Sequence, residues 1–113
     1  MHEVKLATET VAHVVGVMGE RSIERVLGIT VEIGVLSCVE RSIFEFCFAV
    51  AAEGTPVEGA ELTFLERPLT LCCAACEQEF FPECPGDACI SCGSMKTQVI
   101  AGREFAIKSL EVC

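Results

Sequence analysis

At 113 residues the chain has room for one domain, or for a small domain carrying an insert. Its composition, 51% hydrophobic and 22% charged with a mean hydropathy of +0.51, excludes a disordered chain. Eight Lys and Arg stand against 17 Asp and Glu, a net charge of −9, and that sign argues against nucleic acid and anionic membranes as partners, since both select basic faces.

No apolar run reaches the roughly 18 residues of a membrane span. The polar, charged opening Met1-His2-Glu3-Val4-Lys5 does not read as a signal peptide, so a cytoplasmic location is expected. Nine cysteines is a high count, and six of them fall between Cys72 and Cys92. An odd number, no export signal and a local cluster favour metal thiolates over a disulfide scaffold. A chain this short also benefits from a metal as a cross-link.

In chain order, Val4, Ala7, Val11, Val14, Val15 and Met18 recur at the spacing of an amphipathic helix. Lys5, Glu9, His13, Gly16 and Glu20 form its polar stripe, which makes His13 a surface histidine. Gly19 or Gly28 is the expected exit from the helical region. Ile29, Val31, Ile33 and Val35 then alternate with polar or small residues, as in a half-buried strand. Ser42 and Glu45 read as a capping box opening a second helix, which runs to Ala52 and is stopped by Gly54 and Pro56. Cys47, inside that helix, reads as a small buried hydrophobe. Glu61 to Glu66 predicts a strand closed by Pro68. From Leu71 to Lys96 periodicity gives way to Cys, Pro and Gly. Strands return at Thr97–Ala101 and Glu104–Val112, with Gly102-Arg103 as a hairpin turn between them.

Two patterns carry chemistry. Cys73-Ala74-Ala75-Cys76 and Cys89-Ile90-Ser91-Cys92 are two C-x2-C units separated by twelve residues. Each such turn aims two sulfurs at one ion, and two turns close a tetrahedral four-thiolate site, the geometry of structural Zn2+. Gly93, directly after Cys92, allows backbone to wrap closely around a thiolate. The adjacent Cys72 and the nearby Cys84 are competing donors.

The second pattern is the amino terminus. The Met1 amine, the His2 amide nitrogen and the His2 imidazole Nδ1 can close a five-membered and then a six-membered chelate ring. Ni2+ and Cu2+ accept such planar nitrogen sets, whereas zinc has little reason to prefer them. A fourth position remains for Glu3, its amide, water or a partner's donor. No Ser-His-Asp set, phosphate loop or pair of catalytic carboxylates stands out, so the chain does not read as an enzyme.

Taken in order, several segments resemble one family. They are Met1-His2-Glu3, Gly28 through Glu40, Phe46-Cys47-Phe48, Gly54-Thr55, Glu58-Gly59-Ala60, the two knuckles, and the closing Ile107-Lys108-Ser109-Leu110-Glu111-Val112. Together they are similar to the HypA/HybF hydrogenase nickel-incorporation proteins. The resemblance implies a nickel metallochaperone for maturation of [NiFe] hydrogenase, and in some organisms of urease. It implies nickel cargo held at the positions of Met1, His2 and Glu3, and structural zinc on Cys73, Cys76, Cys89 and Cys92. The implied partners are the nickel-loading GTPase HypB and the hydrogenase large subunit, with the chain itself a monomer or homodimer. Cys72 and the terminal Cys113 depart from the common pattern.

The expected fold is α+β. A small sheet packed on two helices, residues 1–70 plus 98–113, is the nickel-binding domain, and residues 71–97 are an inserted zinc-ribbon-like domain. The main alternative is a zinc-ribbon interaction module that delivers no nickel. A nucleic-acid ribbon fits poorly, because Lys96 is the one basic residue of the cysteine segment, against Glu77, Glu79, Glu83 and Asp87.

Overall fold

The computed structural model describes residues 2–113. Helix α1 (His2–Arg21) and strand β1 (Val26–Gly34) are followed by helix α2 (Arg41–Ala52) and strand β2 (Glu61–Arg67). Strands β3 (Thr70–Cys73), β4 (Glu79–Phe80), β5 (Thr97–Ala101) and β6 (Phe105–Val112) complete the chain. The fold is α+β, with two three-stranded sheets ordered β2-β1-β6 and β4-β3-β5. No helix among the described residues is long and apolar enough to cross a membrane.

The chain divides into two compact units. The first runs to Val31 and takes in Val39–Phe64 and Ile107–Cys113; the second holds Glu32–Cys38 and Leu65–Ala106. The second is therefore wider than a 71–97 insert. Leu69, Leu71, Cys73, Phe80 and Cys89 form its buried core, and Leu36, Cys76 and Val99 pack against it, so flanking apolar residues are recruited from both sides of the cysteine segment.

In the first unit α1 packs on α2. The buried line of α1 is Glu3, Ala7, Thr10, Val11, Val14 and Met18. Val4 and Val15, which the periodicity placed on the core face, are 47% and 36% exposed, because they fall just beyond the edge of that buried arc. Thr10 is buried in their stead, with its hydroxyl donating to the Leu6 carbonyl at 2.7 Å. The helix runs through Gly19 and ends at Arg21. Ser22 adopts a left-handed φ of 54°, and the Ile23 N–H donates to the Met18 carbonyl at 3.0 Å, the closing bond of a Schellman motif.

The opening of α2 also differs from the expected capping box. Ser42 lies inside the first turn, and Glu40 is the cap: its carboxylate accepts from the Ser42 N–H at 3.2 Å and the Ser42 hydroxyl at 2.9 Å. Phe44 and Phe48 are buried, Phe44 meets the Phe64 ring of β2 edge-on, and the Arg41 guanidinium lies 4.7 Å from the Phe64 centroid. Gly54, at a φ of 75°, follows the helix end as expected.

In β1, Ile29, Val31 and Ile33 are buried, as the alternation predicts, but Val35 lies beyond the strand and is 67% exposed. The hairpin expected at Gly102-Arg103 does not form. β5 pairs antiparallel with β3, and β6 belongs to the other sheet. Gly102 turns the corner at a φ of 118°, and its N–H donates to Glu104 Oε1 at 2.5 Å. The stretch that showed no periodicity contains β3 and β4, an antiparallel pair with Leu71 opposite Phe80.

Candidate metal centre

β3 delivers the first metal-ligand candidate from a strand end. Alternation along β3 buries Leu71 and Cys73 and turns Cys72 the other way, so the chain geometry separates these adjacent thiols. Beyond Cys73 the chain folds into a tight turn. The Glu77 N–H donates to the Cys73 carbonyl at 2.8 Å and the Cys73 N–H to the Gln78 carbonyl at 3.0 Å. The second knuckle repeats this pattern. The Gly93 N–H donates to the Cys89 carbonyl at 2.8 Å, and the Cys89 N–H to the Ser94 carbonyl at 2.9 Å. Glu77 and Gly93 hold the same place in the two turns, and both have left-handed backbone, with φ of 62° and 77°. The cysteine segment is thus an internal two-fold repeat of a six-residue turn, from Cys73 to Gln78 and from Cys89 to Ser94.

The repeat brings four sulfurs together. Cys73 Sγ lies 3.6 Å from Cys92 Sγ, Cys76 Sγ lies 3.6 Å from Cys89 Sγ, and the four sulfurs all lie within 4.8 Å of one another. A tetrahedral ion with Zn–S bonds of about 2.3 Å separates its sulfurs by about 3.8 Å, so the two 3.6 Å pairs already stand near the spacing of such a site. Cys73 and Cys89 are buried, Cys76 is half-buried and Cys92 is exposed. This is the one such group of histidine, cysteine or carboxylate donors among the described residues.

Backbone donors polarise the quartet. The Cys76 N–H lowers the Cys73 pKa against the opposing effect of burial, with help from the Ala75 N–H and the neighbouring thiols. Cys89 is pulled down to about 6, first by the Cys92 N–H and then by that of Ser91, whose nitrogen lies 3.4 Å from Cys89 Sγ. Cys76 accepts from the Gln78 N–H, but burial and its three sulfur neighbours outweigh that bond and push it up to about 12. Cys92 accepts from the Ser94 N–H, yet its contact with Cys73 and its burial raise it. The opening cysteine of each turn favours the thiolate, and the closing one favours the thiol.

The amino-terminal motif sits elsewhere, at the start of α1. Met1 and its amine lie outside the described residues. His2 is the first helical residue and is exposed. Its N–H is one of the first four of the helix, which have no intrahelical acceptor. Glu3 is 9% exposed, and its carboxylate accepts the Glu40 N–H at 3.1 Å. That bond, together with the Glu3 residue's own N–H, holds its carboxyl below the usual carboxylate range.

The remaining cysteines do not join the quartet. Cys47 is half-buried rather than fully buried, and Cys38, Cys84 and Cys113 are exposed. Cys84 lies in a loop whose shape is set by Asp87, whose carboxylate accepts the N–H groups of Glu83 and Cys84 at 3.0 and 3.1 Å. Sequence reasoning missed two parts of the site. One is Glu77, whose left-handed backbone only its alignment with Gly93 would have signalled. The other is the N–H donor set of Ala75, Gln78, Ser91 and Ser94, which is position and not residue type.

A family model for hydrogenase/urease nickel incorporation, metallochaperone, HypA, matches residues 1–112. Hydrogenase maturation factor HypA 1 of Bradyrhizobium diazoefficiens is 38% identical over 112 residues, 99% of each chain. Hydrogenase maturation factor HypA of Picosynechococcus is 36% identical, again over 99% of each chain. The solution structure of a HypA protein superposes with a TM-score of 0.80 at 24% identity, covering 100% of this chain and 97% of that one. The HypA nickel metallochaperone from Helicobacter pylori gives 0.70 at 22% identity, covering 97% and 96%. These two structures show the same fold. The chain belongs to the HypA family of hydrogenase and urease nickel-incorporation metallochaperones.

Proposed function

We propose that the protein carries Ni2+ as cargo on its amino-terminal Met1-His2-Glu3 motif and passes it on during maturation of a [NiFe] hydrogenase. The family match across residues 1–112 carries this reading, since it spans both the amino terminus and the knuckles. The donors are the Met1 amine, the His2 amide and the His2 imidazole, with Glu3 completing the motif. Helix geometry supports the choice, because a metal that displaces the His2 amide proton breaks no intrahelical hydrogen bond. A nitrogen chelate suits Ni2+ and has little to offer Zn2+.

Cys73, Cys76, Cys89 and Cys92 hold a structural zinc ion, which ties two short turns into one folded unit. The unit containing both helices is the nickel domain, and the unit built on β3, β4 and β5 is the zinc domain. The partners are a nickel-loading GTPase of the HypB kind and the hydrogenase large subunit, in the cytoplasm. The work is transfer, in which the metal changes ligands and the protein makes or breaks no covalent bond of a substrate.

The test is metal analysis of untagged protein, followed by nickel titration of wild type and His2→Ala. The proposal predicts one zinc per chain in both proteins and nickel binding that is lost in the variant. Nickel bound equally well by His2→Ala would overturn it.

A further inference from the structure

The carboxylate of Glu3 is already committed. It is buried in the first turn of α1 and accepts the backbone N–H of Glu40, 37 residues away, at 3.1 Å. Glu40 is itself the N-cap of α2, and its own side chain is occupied by Ser42. The contact is therefore a tie between the starts of two helices, made by the one residue that follows His2. An isolated helix start frays, and a chelating terminus on a frayed turn must be ordered each time metal binds. A carboxylate accepting a backbone N–H at a helix start is a charge-assisted bond in favourable geometry. It leaves one residue, His2, between a fixed point and the free amine.

We infer that Glu3 is a positioning residue and not a nickel ligand: its carboxylate moors the first turn of α1 to the Glu40 N–H and so holds in place the helix start that carries His2. This rests on the amino-terminal nickel reading above and deepens it. The distinction matters chemically. A carboxylate ligand would have to abandon the Glu40 N–H to reach the ion, leaving that donor unpaired. A moored carboxylate keeps its bond throughout loading and release, so its contribution is to affinity and leaves the ligand field unchanged.

The experiment separates the donor from the carboxylate. Glu40→Pro removes the N–H at a residue whose φ of −83° lies near the value proline imposes, while Glu40→Ala removes only the side-chain cap and keeps the N–H. Both lose the same charge. In nickel titrations read through the visible absorption of the bound ion, Glu40→Pro and Glu3→Ala should each bind about tenfold more weakly than Glu40→Ala and wild type, the scale of one charge-assisted hydrogen bond. Glu3→Gln, which keeps an acceptor oxygen, should recover most of that loss, and all variants should retain the wild-type absorption band. The double variant Glu3→Ala/Glu40→Pro should lose no more than either single one. Thermal unfolding of the metal-free variants excludes loss of the fold as the cause. In metal-free wild type, the Glu40 amide proton should resonate downfield and shift in Glu3→Ala, which reports the tie whether or not nickel binds at this terminus. A changed band in Glu3→Gln, or Glu40→Pro binding nickel as Glu40→Ala does, would overturn the inference. Nickel binding indifferent to His2→Ala would instead overturn the amino-terminal site itself.

Discussion

Within the quartet the four thiols have unequal roles before any metal arrives. Cys73 and Cys89 open their turns and receive N–H donors from the next two or three residues, which holds them toward the thiolate, Cys89 at about 6. Cys76 and Cys92 close the turns and sit among sulfurs, and their pKa values are raised, Cys76 to about 12. At pH 7.5 the closing pair is therefore protonated, and an entering zinc ion must expel those protons. Isothermal titration of zinc into metal-free protein, run in buffers of different ionisation heat, should report at least about two protons released per ion. Fewer than about one would contradict the polarised quartet. The sign gives the pH dependence: metal competes with protons for the same sulfurs, so zinc affinity falls as pH falls. The neighbouring Cys72 faces the other side of β3, and this separates it from Cys73 by more than spacing arguments could. Cys73→Ala should lose zinc and the order of the segment around it, whereas Cys72→Ala should keep both. Plasma emission analysis of the two purified variants checks this, and full zinc in Cys73→Ala would sink the ligand assignment.

At the scale of elements, backbone conformation at a few turns decides how the strands and helices are cut. Ser22 holds the left-handed position that ends α1, where glycine is the usual occupant. Ser22→Gly should raise stability by about 0.5–1 kcal/mol in denaturant unfolding, since the new residue adopts that backbone without steric cost. A loss of stability would show that the serine side chain contributes something its backbone position does not explain. Gly34 is the opposite case. A Cβ there would run into the backbone carbonyl of Gly102, beside the bonds from the Gly34 N–H to the Glu104 carbonyl and from the Leu36 N–H to the Gly102 carbonyl. Gly34→Ala should cost more than about 2 kcal/mol, because backbone and not a flexible side chain must move.

These positions also explain what could be read from the residues and what could not. The helices, β1, β2 and β5 follow from periodicity in the chain itself, although α1 is ended by the left-handed Ser22 and not by either of the expected glycines. The strand pairing at Gly102 does not. Two strands joined by a Gly-Arg pair look like a hairpin until one knows that β3 offers β5 a partner and that Glu104 ties down the Gly102 N–H. The capping of α2 misled for a related reason. Ser42 and Glu45 have the right types and spacing, but the helix already starts at Arg41, and Glu40 caps it by accepting the Ser42 N–H. The four knuckle cysteines, by contrast, were legible because their chemistry is carried by spacing alone. The role of Glu3 was not, since its acceptor contact lies 37 residues away along the chain.

For the whole molecule, the proposed zinc and nickel sites have different standing. On the proposed reading zinc holds a fold together: the core around the four cysteines is small, and ordering a residue costs about 1–2 kcal/mol of backbone entropy, which a handful of apolar side chains cannot offset. The proposed nickel site lies at an exposed helix start, remote in sequence from the knuckle cysteines. A chain whose cargo and structural ions are held by different donor types, nitrogen for one and sulfur for the other, can exchange the first without unfolding through loss of the second. The central claim is that the cargo site includes the terminal amine. The most direct measurement is nickel titration of protein with a free Met1 against protein carrying one glycine ahead of Met1. The added residue turns the amine into an amide and moves the free terminus out of the five-membered ring, while His2, Glu3 and the zinc unit are untouched. Tight nickel binding should be lost in the extended protein, with zinc content and unfolding temperature equal to wild type. Unchanged nickel affinity in the extended protein would contradict the account.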